Sequence, residues 1–144
     1  MQKTSLITTT LFAGLTLAGC QKHYTHQDLD GTWTGTTHTL NARGKNHTEK
    51  TLVMAIDSNG LITGNSEWRL ITGEGGHDGD TPTTSGREEL LGTFDAKAGI
   101  FFLVETEEPG FIHGHMLDHD EILVFLVQSG TKPVVSSTRM TRTD

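Results

Sequence analysis

The residues of this chain best placed to do chemistry lie together in Phe111-Ile112-His113-Gly114-His115-Met116-Leu117-Asp118-His119-Asp120-Glu121. In an extended strand, residues two apart point to one face about 7 Å apart, so His113 and His115 form a pair and Gly114 removes bulk from the opposite face. His119 or Asp118, from the adjoining turn, supplies a third ligand. Three N/O donors on one side are the set that holds zinc or copper, and Met116 adds a soft donor only if the backbone turns it round. Histidine is equally a common polar residue at hairpin ends, so a purely structural reading stands beside this one. A second stretch, Gly73-Glu74-Gly75-Gly76-His77-Asp78-Gly79-Asp80, offers Glu74, Asp78 and Asp80 to calcium. It holds one imperfect Gly-Gly-x-Gly-x-Asp copy, which cannot stack alone into the repeat structure that binds the ion.

Catalytic patterns are sparse. Ser129-Gly130-Thr131-Lys132 has the S-x-x-K spacing of penicillin-recognising enzymes, but that nucleophile needs a helix start to bring its lysine alongside. Here the string lies between strand-like runs and is followed by Pro133, so it reads as a turn. Neither G-x-S-x-G nor H-E-x-x-H occurs. Glu105, Glu107 and Glu108 fall at a strand end and hairpin, where solvated charges belong. The chain is therefore expected to bind rather than catalyse.

Cys20, the single cysteine, closes an N-terminal segment built like a secretory signal. Lys3 is its positive end, residues 6–17 are apolar, and small residues precede the cut. Leu17-Ala18-Gly19-Cys20 resembles the bacterial lipobox. That resemblance implies that Cys20 receives a diacylglycerol, that the peptide before it is removed, and that the new amine is acylated. Several acyl chains, each methylene contributing about 0.8 kcal/mol, make such an anchor effectively permanent. Gln21 rather than Asp follows the cysteine, which in the lipoproteins it resembles implies the outer membrane; either face of that membrane fits. The expected plan is a signal peptide at 1–19, a lipidated tether at 20–28 and one domain at 29–144.

With its one cysteine acylated, the domain has no disulfide and depends on a packed core. The formal net charge of −7 at pH 7 repels nucleic acid and anionic headgroups and favours cations or a basic partner. From residue 29 onward the sequence falls into short runs rich in Thr, Val, Ile, Leu and Phe, punctuated by Gly, Asn, Asp and Pro. Eight runs are placed, at 29–40, 51–56, 61–72, 87–94, 100–106, 111–117, 122–128 and 134–142. Asp57-Ser58-Asn59-Gly60 and Glu107-Glu108-Pro109-Gly110 are tight hairpin turns. Eight strands joined as hairpins predict an all-β, antiparallel up-and-down barrel, with a two-sheet sandwich as the alternative. The long connection at 73–86 is expected as a mobile loop at the barrel mouth. Ile100-Phe101-Phe102-Leu103-Val104 and Ile122-Leu123-Val124-Phe125-Leu126-Val127 are apolar on both faces, where a strand between core and water should alternate. Either their outer face is covered, by a partner subunit, the membrane interface or the tether, or its apolar residues are simply tolerated in water.

Gly31-Thr32-Trp33 on the first run resembles the Gly-x-Trp signature that opens calycin barrels, the lipocalin and avidin-like group. Residues 58–64 and 91–95 also resemble avidin hairpin segments. The resemblance implies that Trp33 plugs the closed end of the barrel. Biotin binding does not carry over, because Trp68 is the one other tryptophan. Together these readings predict a membrane-anchored, non-enzymatic binding module of the bacterial envelope, taking a small apolar ligand or an envelope protein. The alternatives are zinc or copper capture through His113, His115 and His119, inhibition of a basic enzyme such as lysozyme, and a surface receptor for a host iron or haem source.

Overall fold

The computed structural model describes residues 22–78 and 81–144. Ten strands follow one 3-10 turn at His26–Asp28: β1 Gly31–Asn41, β2 Gly44–Ile56, β3 Leu61–Thr72, β4 Gly76–Asp78, β5 Thr81–Thr83, β6 Ser85–Asp95, β7 Ile100–Glu105, β8 Gly110–Asp118, β9 Glu121–Gln128 and β10 Val134–Arg142. Eight of them form a closed antiparallel barrel in the order β1-β10-β9-β8-β7-β6-β3-β2, and β4 pairs with β5 as a separate hairpin between β3 and β6. The expected up-and-down barrel is thus the fold. Its turns use the expected chemistry: the Asp57 carboxylate accepts the backbone N–H groups of Asn59 and Leu61 at 2.8 and 2.9 Å, and Gly60 takes φ +79°.

Two stretches differ from the sequence expectation. β2 begins at Gly44, seven residues before the run expected at 51, because Asn46, Thr48 and Lys50 hold the inward positions of its first half and hide the apolar alternation. The connection at 73–86 carries the β4–β5 hairpin where a loop was expected.

The core fills only one end of the barrel. Leu52, Met54, Phe94, Phe101, Ile122 and Met140 form one core cluster with Trp33, which is fully buried. The Trp33 indole N–H donates to the Leu29 carbonyl at 3.0 Å. Arg142, from the last strand, lies over the ring with its guanidinium carbon 4.3 Å from the centroid and donates to the carbonyls of Asp28, Asp30 and His119. Residues 22–28 also lie against this end: Lys22 donates to the Leu117 carbonyl and pairs with Asp118, and Tyr24 packs on the core.

Outside, the barrel has two characters. β2, β3 and β6 carry a charge ladder, with Arg69 on Glu49 and Arg87 on Glu67. On β7 to β9 the outward residues from Ile100 to Val104, Phe111 to Leu117 and Leu123 to Val127 include no Asp, Glu, Lys or Arg. Phe102 stacks on Phe111 and on His113, at centroid distances of 5.7 and 4.7 Å. Leu91, Val104, Phe111, Val127, Val135 and Leu40 face one another across six neighbouring strands. Phe102, Val104, Phe111, Phe125 and Val127 remain 37–50% exposed, so among the described residues nothing covers this face.

Gly114 is a tight packing constraint in the core, since a Cβ there would stand 1.9 Å from the Phe101 ring. Gly114→Ala is expected to cost about 1–3 kcal/mol through overpacking, read as a lower urea midpoint with an unchanged slope.

Candidate functional site

At the end away from Trp33 the interior is open, and the same inward alternation that builds the core now lines a cavity of about 360 Å³. Its walls mix apolar and polar groups: Trp68, Leu70, Leu126 and Val134 beside Thr39, Asn46, Thr48 and Gln128, with Lys50, Glu88 and Glu105 among them. Trp68 is held in a slot made by two glycines. A Cβ at Gly86 would stand 2.4 Å from the indole nitrogen, and one at Gly76 would stand 2.8 Å from the ring. The hairpin is tied to the mouth through Gly75, whose N–H donates to Asn46 Oδ1 at 2.7 Å and whose carbonyl accepts from Asn41 Nδ2 at 2.9 Å. Buried Thr39 and Thr48 share a hydroxyl hydrogen bond of 2.9 Å between β1 and β2.

Lys50, Glu88 and Glu105 concentrate the electrostatics. Lys50 Nζ donates to Ser136 Oγ at 2.8 Å, and burial pushes its ammonium down to about 8 against the opposing pull of Glu105. Glu105 is pushed up to about 7, first by burial and then by Glu88, with Lys50 working the other way and Glu108 adding to the rise. Glu88 is raised too, by burial and then by Glu108 and Glu107, against Lys132. Glu88 Oε2 and Glu105 Oε2 are closed to solvent and have no hydrogen-bond partner among the described residues. The Glu105 carboxylate occupies the space that a side chain at position 110 would need, which Gly110 leaves empty. A smaller space of about 40 Å³, enough for about one water, adjoins Lys50 and Glu105 and reaches Ser136, Thr138 and Met140. At the rim, Glu108 is occupied: Lys132 and Gln128 each donate to it at 3.0 Å.

The histidines lie elsewhere. His113 and His115 share the outer face of β8 as the strand period requires, with ring centroids 4.3 Å apart, and His113 is held below its ordinary range by burial and by its neighbour. His119 follows a register shift between Met116 and Asp118 and bonds through Nδ1 to Asp28 at 2.8 Å. The three are not brought together, and among the described residues no group of three or more His, Cys, Asp or Glu could hold a metal ion. Cys20 and Asp80 lie outside the described residues. The expectation that Glu105 is a solvated end charge is corrected: it points inward in register with Phe101 and Leu103. That period of two was the available signal, as it was for Lys50 below Leu52 and Met54. The terminal position of Glu105 and the polar run around Lys50 masked it.

The two perturbed groups predict a pH profile. Folding favours Glu105 protonated, so its contribution to stability falls as pH rises from about 4.5 to about 7; it favours Lys50 neutral, so stability is regained between about 8 and 10.5. Urea unfolding across this range is expected to show Glu105→Gln gaining on the wild type between pH 4.5 and 7, and Lys50→Met losing its advantage above pH 8. Parallel profiles for all three proteins would show that neither group is perturbed.

No protein-family model matches the chain, and no curated protein matches it in sequence. Among solved structures it is similar to EF1p2_mFAP2b bound to DFHBI, at 10% identity and a TM-score of 0.54, over 81% of this chain and 95% of that one. It is also similar to a protein of unknown function of the DUF3598 family from Nostoc punctiforme PCC 73102, at 13% identity and a TM-score of 0.51. That match covers 84% of this chain and 50% of the other. At such identities the likeness concerns the fold, a closed eight-stranded antiparallel barrel.

Proposed function

We propose that this chain is a non-enzymatic, lipid-anchored binding protein of the bacterial envelope that holds a small molecule in the open end of its barrel. The observation that carries the reading is the half-filled interior. Large side chains pack the Trp33 end, and the other end leaves about 360 Å³ lined by an immobilised indole and by polar groups lacking partners. That volume lies near the lower end of the roughly 300–1,000 Å³ usual for small-molecule sites. EF1p2_mFAP2b, which shares the fold, is bound to DFHBI, and this supports the ligand reading. The mixed lining sharpens the expected apolar ligand: a small body that lies on Trp68 and carries a polar head for the groups around Lys50 and Glu105. Anchoring rests on the lipobox resemblance at Cys20, and the outer membrane on Gln21.

The chain has two tryptophans, Trp33 buried in the core and Trp68 on the cavity wall. Titration with small aromatic fragments is expected to move the Trp68 indole N–H signal in heteronuclear NMR while leaving that of Trp33 in place. Fragments that shift neither, or both alike, would remove the ligand reading. For the anchor, wild type expressed in a bacterial host is expected to partition into detergent and to carry an acyl mass increment, and Cys20→Ser to lose both. Equal partitioning of the two would overturn it.

A further inference from the structure

We infer that the cavity selects a small organic cation, with an ammonium or amidinium head between Glu88 and Glu105 and a flat apolar body against Trp68. This inference rests on the cavity being a ligand site and goes further by naming the class of ligand. Among the described residues, six chargeable ones line it: Lys50 from β2, Glu88 from β6, Glu105 from the end of β7, Glu107 and Glu108 from the β7–β8 turn, and Lys132 before β10. Glu108 already accepts from Lys132 and Gln128 at the rim, and Lys50 already donates to Ser136. The polar atoms of this wall left with no partner at all among the described residues are carboxylate oxygens. Glu88 Oε2 and Glu105 Oε2 are desolvated without a donor, on adjoining strands whose carboxylates repel each other. An anion would add to that repulsion. An ammonium brings three N–H donors and a charge of the right sign, and an amidinium brings four in one plane with the same charge. The face of Trp68 adds attraction for a cation held beside it.

Three probes with one aromatic body separate the possibilities: phenethylamine, 2-phenylethanol and phenylacetate, titrated into the full-length protein by calorimetry and followed through the Trp68 indole signal. At pH 8 phenethylamine is expected to bind about tenfold or more tightly than 2-phenylethanol, and phenylacetate most weakly. Glu105→Gln and Glu88→Gln should each remove about tenfold of the amine affinity and leave 2-phenylethanol unchanged. Lowering the pH to 6 should weaken the amine alone, because Glu105 takes up a proton across that interval. Phenylacetate binding as well as or better than phenethylamine would overturn the inference in favour of a site led by Lys50. Binding of 2-phenylethanol with no gain for the amine would overturn the cation class and keep the cavity as a site. If none of the three disturbs Trp68, both readings fall.

Discussion

The barrel depends on how its closed end is sealed. Trp33 is the largest side chain of the core and is wholly out of water, so its one polar atom must be satisfied inside, and the Leu29 carbonyl does this. Arg142 then covers the ring and serves carbonyls from three separate places: the 3-10 turn at Asp28, the start of β1 at Asp30 and the β8–β9 turn at His119. One cation thus joins the beginning and end of the barrel and caps backbone acceptors that strand pairing leaves over. With this end sealed, the apolar volume gathers there.

The opposite end can then carry groups that no fully packed core would accept. Lys50, Glu88 and Glu105 sit where alternation places inward side chains, and the barrel bears their desolvation without complete hydrogen bonding. Burial of unpaired polar atoms is costly, and a domain of this size has only about 5–15 kcal/mol of net stability from which to meet the cost. Their presence is more telling than that of Thr39 and Thr48, whose hydroxyls satisfy each other.

Much of the architecture is legible in the sequence because antiparallel hairpins are local. Period-two patterning and turn residues such as Asn59-Gly60 place the strands. The site was hidden for a related reason. Strand patterning is read from apolar residues on the inward face, and where the interior is polar the signal inverts: Asn46, Thr48 and Lys50 look like surface, and Glu105 looks like the end of a strand. Trp68 gives no local sign that Gly76 and Gly86 will clasp it, since that contact depends on a hairpin folding back over the mouth. The histidines show the converse. Residues that look like ligands by type and spacing fall on the outer face, where the strand period separates them from the cavity, and a turn carries His119 to Asp28.

The pairing of β1 with β10 has a consequence for the order in which the molecule is made. Every other neighbouring pair of barrel strands is joined through a short connection or the β4–β5 hairpin, but Trp33 meets Arg142 across nearly the whole length of the domain. In a chain synthesised or exported from its N-terminus, β1 keeps one unpaired edge until the last strand arrives, and an unpaired edge is where extended chains add to one another. The step that closes this barrel is therefore the one with the longest loop to close.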